Sequence, residues 1–266
     1  DGVSSAFIYH GGTFTALAGP SGSISTSALG ISENGSVVGS FFTSMEIDAD
    51  GYPVYGPELS YIYSAGTYAT FAVPGAINTT ARAISPDGRY VSGYYASETT
   101  QQAFVLDTLT NAFAFTGGDG FTIAQGINNS YRTVGSDLSF ITGERPGFIY
   151  DIPTGTRTDV MLPGTTRTAF RAIDNAGVIS GWYAADGTIH GFTGYPGAFQ
   201  VIDVSGANAT WVEGSNDFGV LVGQYDRDGL TYAFIATPVQ APIPEPGTWA
   251  LMLAGVALLG VVRRRG

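Results

Sequence analysis

The stretch Ala81-Arg82-Ala83-Ile84-Ser85-Pro86-Asp87-Gly88-Arg89-Tyr90-Val91-Ser92-Gly93-Tyr94-Tyr95 decides the architecture, because its plan recurs along the chain. A short run ends on Ile84, a Pro-Asp-Gly turn signal follows, and a second run closes on Val91-Ser92-Gly93 and two aromatics. This is the pattern of two brief strands joined by a tight turn. The same plan reads ALGISENGSVVGSFF from Ala28, AQGINNSYRTVGSD from Ala124, FRAIDNAGVISGWY from Phe170 and VEGSNDFGVLVGQY from Val212. Turn formers stand at the joint as Glu33-Asn34-Gly35, Asn175-Ala176-Gly177 and Asp217-Phe218-Gly219.

Working outward, each copy is preceded by a small residue and an aromatic: Ala6-Phe7, Ser60-Tyr61, Ala103-Phe104, Gly147-Phe148 and Gly191-Phe192, with a sixth opening at Ala233-Phe234. From Phe7 these anchors advance by 54, 43, 44, 44 and 42 residues, the first step holding an insertion around Met45 to Glu58. The closing glycines Gly39, Gly93, Gly135, Gly181 and Gly223 follow the opening aromatic by 31 to 33 positions. Each module therefore reads as four strands: aromatic-Ile-Tyr, a Thr/Phe-rich run, Ala-x-Gly/Ala-Ile, and Val-Val-Gly-x-Tyr. Four strands in about 42 to 44 residues is the length of a propeller blade.

The expected fold is an all-β β-propeller of about five four-stranded blades over residues 1–236. A Pro-rich linker over 237–246 and one C-terminal hydrophobic helix over 247–266 follow. From roughly Ala6 to Ala236 the modules resemble HAF-type extracellular repeats, whose Gly-Ile-Asn-x-x-Gly-x-Val-Val-Gly-x-Tyr pattern all five copies approximate. That resemblance implies a propeller-like ectodomain and no particular reaction. The third copy departs from it, with Ser130-Tyr131-Arg132 replacing the Gly turn and Asp137 standing where others have Phe or Tyr; a looser hairpin is expected there. If blades begin with the Ala-x-Gly-Ile strand, the strands near Phe7 and Phe14 are left to complete the last blade, a slot for which Ala233-Phe234-Ile235 competes. Five blades is the expected count, and six the alternative if sequence is missing upstream.

Composition agrees with β structure. Of 266 residues, 38 are Gly and 31 are Tyr or Phe, which suit tight turns and half-buried strands. The net charge is -11, and three of the 11 arginines stand together at Arg263 to Arg265; the rest of the chain sets 8 positive against 22 negative groups. A phosphate backbone would be repelled, which argues against nucleic-acid binding. With no cysteine there is neither a disulfide framework nor a thiolate metal site. The chain opens on Asp1 without Met, as expected of a processed protein or a fragment.

After Thr237 a Pro-rich tether leads to an uncharged stretch from Gly247 to Val262 and then to Arg263, Arg264 and Arg265. Sixteen residues span about 24 Å as a helix, so thinning of the bilayer or snorkelling of the arginines would be needed to cross. The order of Pro244-Glu245-Pro246, Trp249, an apolar segment with Leu253 and Leu258, and a terminal Arg cluster resembles the PEP-CTERM tail of Gram-negative exported proteins. The resemblance implies an exosortase-like membrane protease as partner and Glu245 as a recognised residue. It also implies membrane anchoring before processing, a cell-surface or extracellular destination, and an association with extracellular polysaccharide. The Arg cluster would stay on the cytoplasmic side.

Sites of chemistry are sparse. His10 and His190 each adjoin a Gly and read as solvent-facing turn residues. No Gly-x-Ser-x-Gly or phosphate loop occurs. Glu33, Asp87, Asp174 and Asp217 recur near one hairpin, which suits turn chemistry better than the paired carboxylates of a glycosidase. Asp48 and Asp50 are weak metal candidates, and neither they nor Asp226-Arg227-Asp228-Gly229 have the Glu an EF-hand requires. No catalytic residue, metal or cofactor is expected. Phe41, Phe42, Tyr94, Tyr95, Trp182, Tyr183 and Tyr225 suit inter-blade packing more than sugar stacking.

One position varies inside the constant frame: Leu29, Arg82, Gln125, Arg171 and Glu213, each preceding the small residue of its strand. Repeat scaffolds display binding surfaces in this way, while tolerance at a solvated strand edge is the competing explanation. The leading expectation is an exported surface or matrix protein with a non-catalytic binding or structural propeller. A secreted propeller glycosidase and an ice- or surface-binding protein are the alternatives, the latter without a regular Thr-x-Thr array.

Overall fold

The computed structural model describes residues 5–139 and 143–238. Its strands follow chain order as successive antiparallel sheets. β1 (Ala6–His10) and β2 (Thr13–Leu17) pair as a hairpin. Blade 1 begins with β3 (Ser25–Ile31) and β4 (Val37–Phe42), is interrupted by a hairpin of β5 (Met45–Ile47) and β6 (Pro53–Tyr55), and ends with β7 (Glu58–Ser64) and β8 (Thr67–Phe71). Blade 2 comprises β9 (Asn78–Ile84), β10 (Tyr90–Ala96), β11 (Gln101–Asp107) and β12 (Ala112–Phe115). Blade 3 comprises β13 (Phe121–Ile127), β14 (Arg132–Leu138), β15 (Gly147–Asp151) and β16 (Thr156–Val160). Blade 4 comprises β17 (Arg167–Ile173), β18 (Ile179–Ala185), β19 (Thr188–Tyr195) and β20 (Ala198–Ile202). Among the described residues blade 5 has three strands, β21 (Ala209–Ser215), β22 (Leu221–Arg227) and β23 (Leu230–Ala236). The fold is the expected five-bladed propeller.

The repeated glycine has a local cause. In every blade the pairing of the first two strands slips by one residue, opposite Gly39, Gly93, Gly135, Gly181 and Gly223. A Cβ at those glycines would be driven into the carbonyl oxygens of Ser27, Thr80, Ile123, Ala169 and Trp211. The residues left unpaired by the slip are Leu29, Arg82, Gln125, Arg171 and Glu213, so each variable position is a β-bulge.

Cores lie between blades and within their outer halves. Third-strand aromatics Tyr61, Phe104, Phe148 and Phe192 are fully buried, each contributing roughly 1.5–3 kcal/mol by burial. Fourth-strand rings press on them, with centroids 5.4 Å apart for Tyr61 and Tyr68, 5.6 Å for Phe104 and Phe113, and 4.8 Å for Phe192 and Phe199. Blade 3 differs: Arg157 takes the fourth-strand place, its guanidinium 4.4 Å from the Phe148 ring, and its Nη2 donates to Asp137 Oδ2 at 2.6 Å. The polar exception at Asp137 is thus matched by a second one on β16.

The hairpin of blade 3 is not loose. Tyr131 takes the positive φ, 59°, that Gly supplies in the other turns, and its N–H donates to Asn128 O at 3.2 Å as the N–H of Gly88 does to Ser85 O at 2.7 Å. The ring is held edge-on against Tyr90, centroids 4.9 Å apart, which offsets the backbone strain.

Blade completion also departs from expectation. β23 pairs with β22, so β1 and β2 do not join blade 5; they lie against blade 1, where Ala6 N–H donates to Thr26 Oγ1 at 3.4 Å. Ala103 N–H donates to Thr122 Oγ1 in the same way between blades 2 and 3, at 2.6 Å. The hairpin therefore covers blade 1 as the outer half of a preceding blade would. Its inner half has no counterpart there, and Ile31 is 59% exposed where the equivalent Ile84 is 5% exposed.

Contacts divide the chain at Ala236, with Thr237–Gly266 forming a separate unit. The described core clusters all precede that boundary. Deleting Pro238 to Gly266 is accordingly expected to leave a soluble protein with one cooperative thermal transition by circular dichroism. A product that aggregates or melts without a transition would contradict this.

Candidate functional site

Five bulges build one site. The first strands of successive blades, β3, β9, β13, β17 and β21, lie side by side, and residues from all five line a single central cavity of about 350 Å³. Leu29, Arg82, Gln125, Arg171 and Glu213 are all among its walls. A bulge re-aims the extra side chain, so the same local irregularity, repeated, brings together residues about one module apart in sequence.

The turns at the ends of these strands latch neighbouring blades. Asp87 N–H donates to Asn129 Oδ1 at 2.9 Å, Asn129 N–H to Asn175 Oδ1 at 2.9 Å, and Asn175 N–H to Asp217 Oδ1 at 2.8 Å. Asn175 Nδ2 also donates to Asp217 Oδ2 at 2.6 Å. Asp87 and Asp174 instead serve their own turns, accepting from Arg89 N–H at 3.0 Å and Val178 N–H at 2.8 Å. Turn chemistry was legible in the sequence; the latch between blades was not, because its partners are more than forty residues apart.

Charge inside the channel is uneven. Arg171 Nε lies 3.0 Å from Glu213 Oε2, though out of line for a hydrogen bond, and Nη2 donates to Oε1 at 3.4 Å. Its guanidinium also faces the buried Trp182 ring, 5.7 Å from the centroid, on which Arg167 stacks at 4.5 Å. Arg82 has a different setting. No hydrogen bond or ion pair joins its guanidinium to any described residue. Burial, and then the positive charge of Arg171, push its pKa below the ordinary arginine value.

Other candidates resolve into structural roles. Asp48 Oδ1 accepts from the N–H groups of Asp50, at 3.0 Å, and Tyr52, at 2.8 Å, closing the β5–β6 turn. Among the described residues no group of three or more His, Asp or Glu is placed to hold a metal ion. Asp226 accepts from Thr231 Oγ1 at 2.6 Å in the β22–β23 hairpin. His10 is exposed at the end of β1, as expected. His190 is not a turn residue: it lies within β19, its Nδ1 2.7 Å from Asp203 Oδ2, its ring stacked 5.2 Å from Tyr183. Phe41 and Trp182 are buried, as packing aromatics should be. Pro244, Glu245, Pro246, Trp249, Leu253, Leu258 and Arg263 to Arg265 lie outside the described residues. No helix among the described residues is long and apolar enough to cross a membrane.

Residues 242–265 match the family model of the PEP-CTERM protein-sorting motif. Such a motif implies export, transient membrane anchoring and processing by exosortase, a membrane protease. No curated protein matches the chain's sequence. Among solved structures, a protein assigned as TolB from Agrobacterium tumefaciens is similar with a TM-score of 0.57 at 13% identity, over 76% of this chain and 84% of that one. TolB from Acinetobacter baumannii gives 0.54 at 12% identity over 79% of this chain, which spans about half of that protein, 51%. A prolyl endopeptidase structure gives 0.55 at 11% identity over 86% of this chain and 38% of that one. At such identities the likeness is one of propeller fold alone.

Proposed function

We propose that this is an exported bacterial surface or extracellular-matrix protein whose propeller binds a glycan in its central channel without turning it over. The observation that carries the reading is the convergence of five bulge side chains, different in chemistry within an otherwise constant frame, on one cavity. A scaffold that repeats everything except the residues facing a concavity is built for recognition. The repeats are of the HAF type in this reading, and the sorting tail delivers the propeller to the polysaccharide outside the cell.

Hydrolysis of a glycosidic bond requires two carboxylates about 5 to 10 Å apart with one held protonated. Of the four carboxylates that line the channel, Glu213 is engaged with Arg171, Asp174 with its turn and Asp217 with Asn175, which leaves Glu33 as a single acid and not a pair. In a screen of oligosaccharides, binding without release of reducing sugar is expected. The combined Arg82→Ala, Arg171→Ala and Glu213→Ala substitutions should weaken that binding at least tenfold while the thermal transition persists. Reducing sugar whose release is abolished by replacing a single Asp or Glu would replace this reading with that of a glycosidase.

A further inference from the structure

We propose that Arg82 is a carboxylate-recognition point in the central channel, and that the ligand is an acidic glycan presenting a uronate group to it; this rests on the glycan-binding reading above. Around the channel the bulge residues run Leu29, Arg82, Gln125, Arg171, Glu213 in blade order. Arg171 meets a carboxylate on the next blade. Arg82 stands between blades that contribute Leu29 and Gln125, neither of which can neutralise it.

The two other acids that act on Arg82 are spoken for. Glu213 pairs with Arg171, and Glu58 accepts from Thr80 Oγ1 at 2.7 Å. A guanidinium cannot shed its charge in a protein, so its donors remain available at the wall of the cavity. Their planar fork matches the two oxygens of a carboxylate, and charge-assisted bidentate bonds of this kind are about twice as strong as neutral ones. Removal from bulk water strengthens the attraction further.

Gln125, on the neighbouring bulge, adds an amide that can both donate to and accept from hydroxyl groups. At about 350 Å³ the cavity lies near the lower end of small-ligand sites, roughly 300–1,000 Å³, which suits a sugar residue or two. Glu33, Asp174 and Asp217 also line it, at the turn level. They would accept hydroxyl donors and repel a second anionic group close by. The arrangement therefore favours a glycan with spaced carboxylates over a densely acidic peptide.

The test is calorimetric titration of the full chain with a glucuronate-containing oligosaccharide, its carboxyl-reduced counterpart, and a short peptide with a free C-terminal carboxylate. Expected are at least tenfold tighter binding of the acidic sugar than of its reduced form, and loss of that preference in Arg82→Gln. Arg82→Lys, which keeps the charge and loses the fork, should fall between. The thermal midpoint of ligand-free Arg82→Gln should not drop, since the substitution removes a half-buried cation without a partner. Equal binding of both sugars, or a preference that survives Arg82→Gln, would overturn the carboxylate assignment and leave the glycan-binding reading standing. Failure of both sugars to bind would overturn that reading as well, and Arg82-dependent capture of the peptide alone would transfer the site to a peptide ligand.

Discussion

Replacing Gly181 by Ala is expected to cost about 3 kcal/mol or more of stability, the upper range for forcing atoms into a filled site. The new methyl group would meet the Ala169 carbonyl oxygen, a backbone atom that no side-chain rotation can move aside. Relief would require undoing the bulge at Arg171, which would turn the following residues of β17 to the opposite face of the sheet. Ala172 and Ile173 would then leave their places, and Ile173 belongs to a buried cluster with Phe170 and Phe192. Gly177→Ala is the control. It lies at a turn with φ of 85° and open space around its Cβ position, so only backbone strain of about 1–2 kcal/mol applies. Urea denaturation compares the two; a Gly181→Ala protein within 1 kcal/mol of wild type would show that the glycine is not needed by the bulge.

Much of this geometry was legible before any coordinates. The spacing of Phe7, Tyr61, Phe104, Phe148 and Phe192 gave strand number and blade length, since a module that cannot bury both faces alone must stack on its neighbours. The variation at Leu29, Arg82, Gln125, Arg171 and Glu213 marked either a display surface or a tolerant strand edge, and did not tell that the five line one channel. Their status as bulge residues was hidden, because a register slip is a property of two strands together and leaves no trace in one of them. The pairing of Arg171 with Glu213, and the absence of a pair for Arg82, depend likewise on which blades adjoin. At the ends of the fold the sequence offered two strands for one slot, and β23 occupies it as the hairpin continuation of β22, needing only Asp228 and Gly229 to turn the chain. Local closure of that kind has a smaller entropic cost than bringing in β1 from the far end of the chain.

Blade 3 yields the second large effect. Asp137 and Arg157 replace rings found at the same places in neighbouring blades, Tyr183 and Phe199 in blade 4, and their side chains are only 4% and 12% exposed. Substituting Arg157 by Phe should cost about 3–5 kcal/mol, because the Asp137 carboxylate would remain buried without its counter-ion. Asp137→Tyr should cost a comparable amount by stranding the guanidinium, which then keeps only the Gly117 carbonyl, 2.6 Å from Nη1, and the exposed Asp159. The double variant restores an aromatic pair around Phe148 and should recover most of the loss, so the coupling energy in the double-mutant cycle should exceed either single loss of about 3–5 kcal/mol. A second signature lies in pH. Burial raises the Asp137 pKa above 3.8 despite the opposing pull of Arg157, so the folded protein binds this proton more readily than the unfolded chain does. Stability from this group is therefore gained as pH falls through the raised pKa towards 3.8 and lost as pH rises through it. Wild type should gain on Asp137→Asn over that interval; additive single losses with no recovery in the double variant, or a pH-independent difference from Asp137→Asn, would show that the two residues do not act as a buried pair.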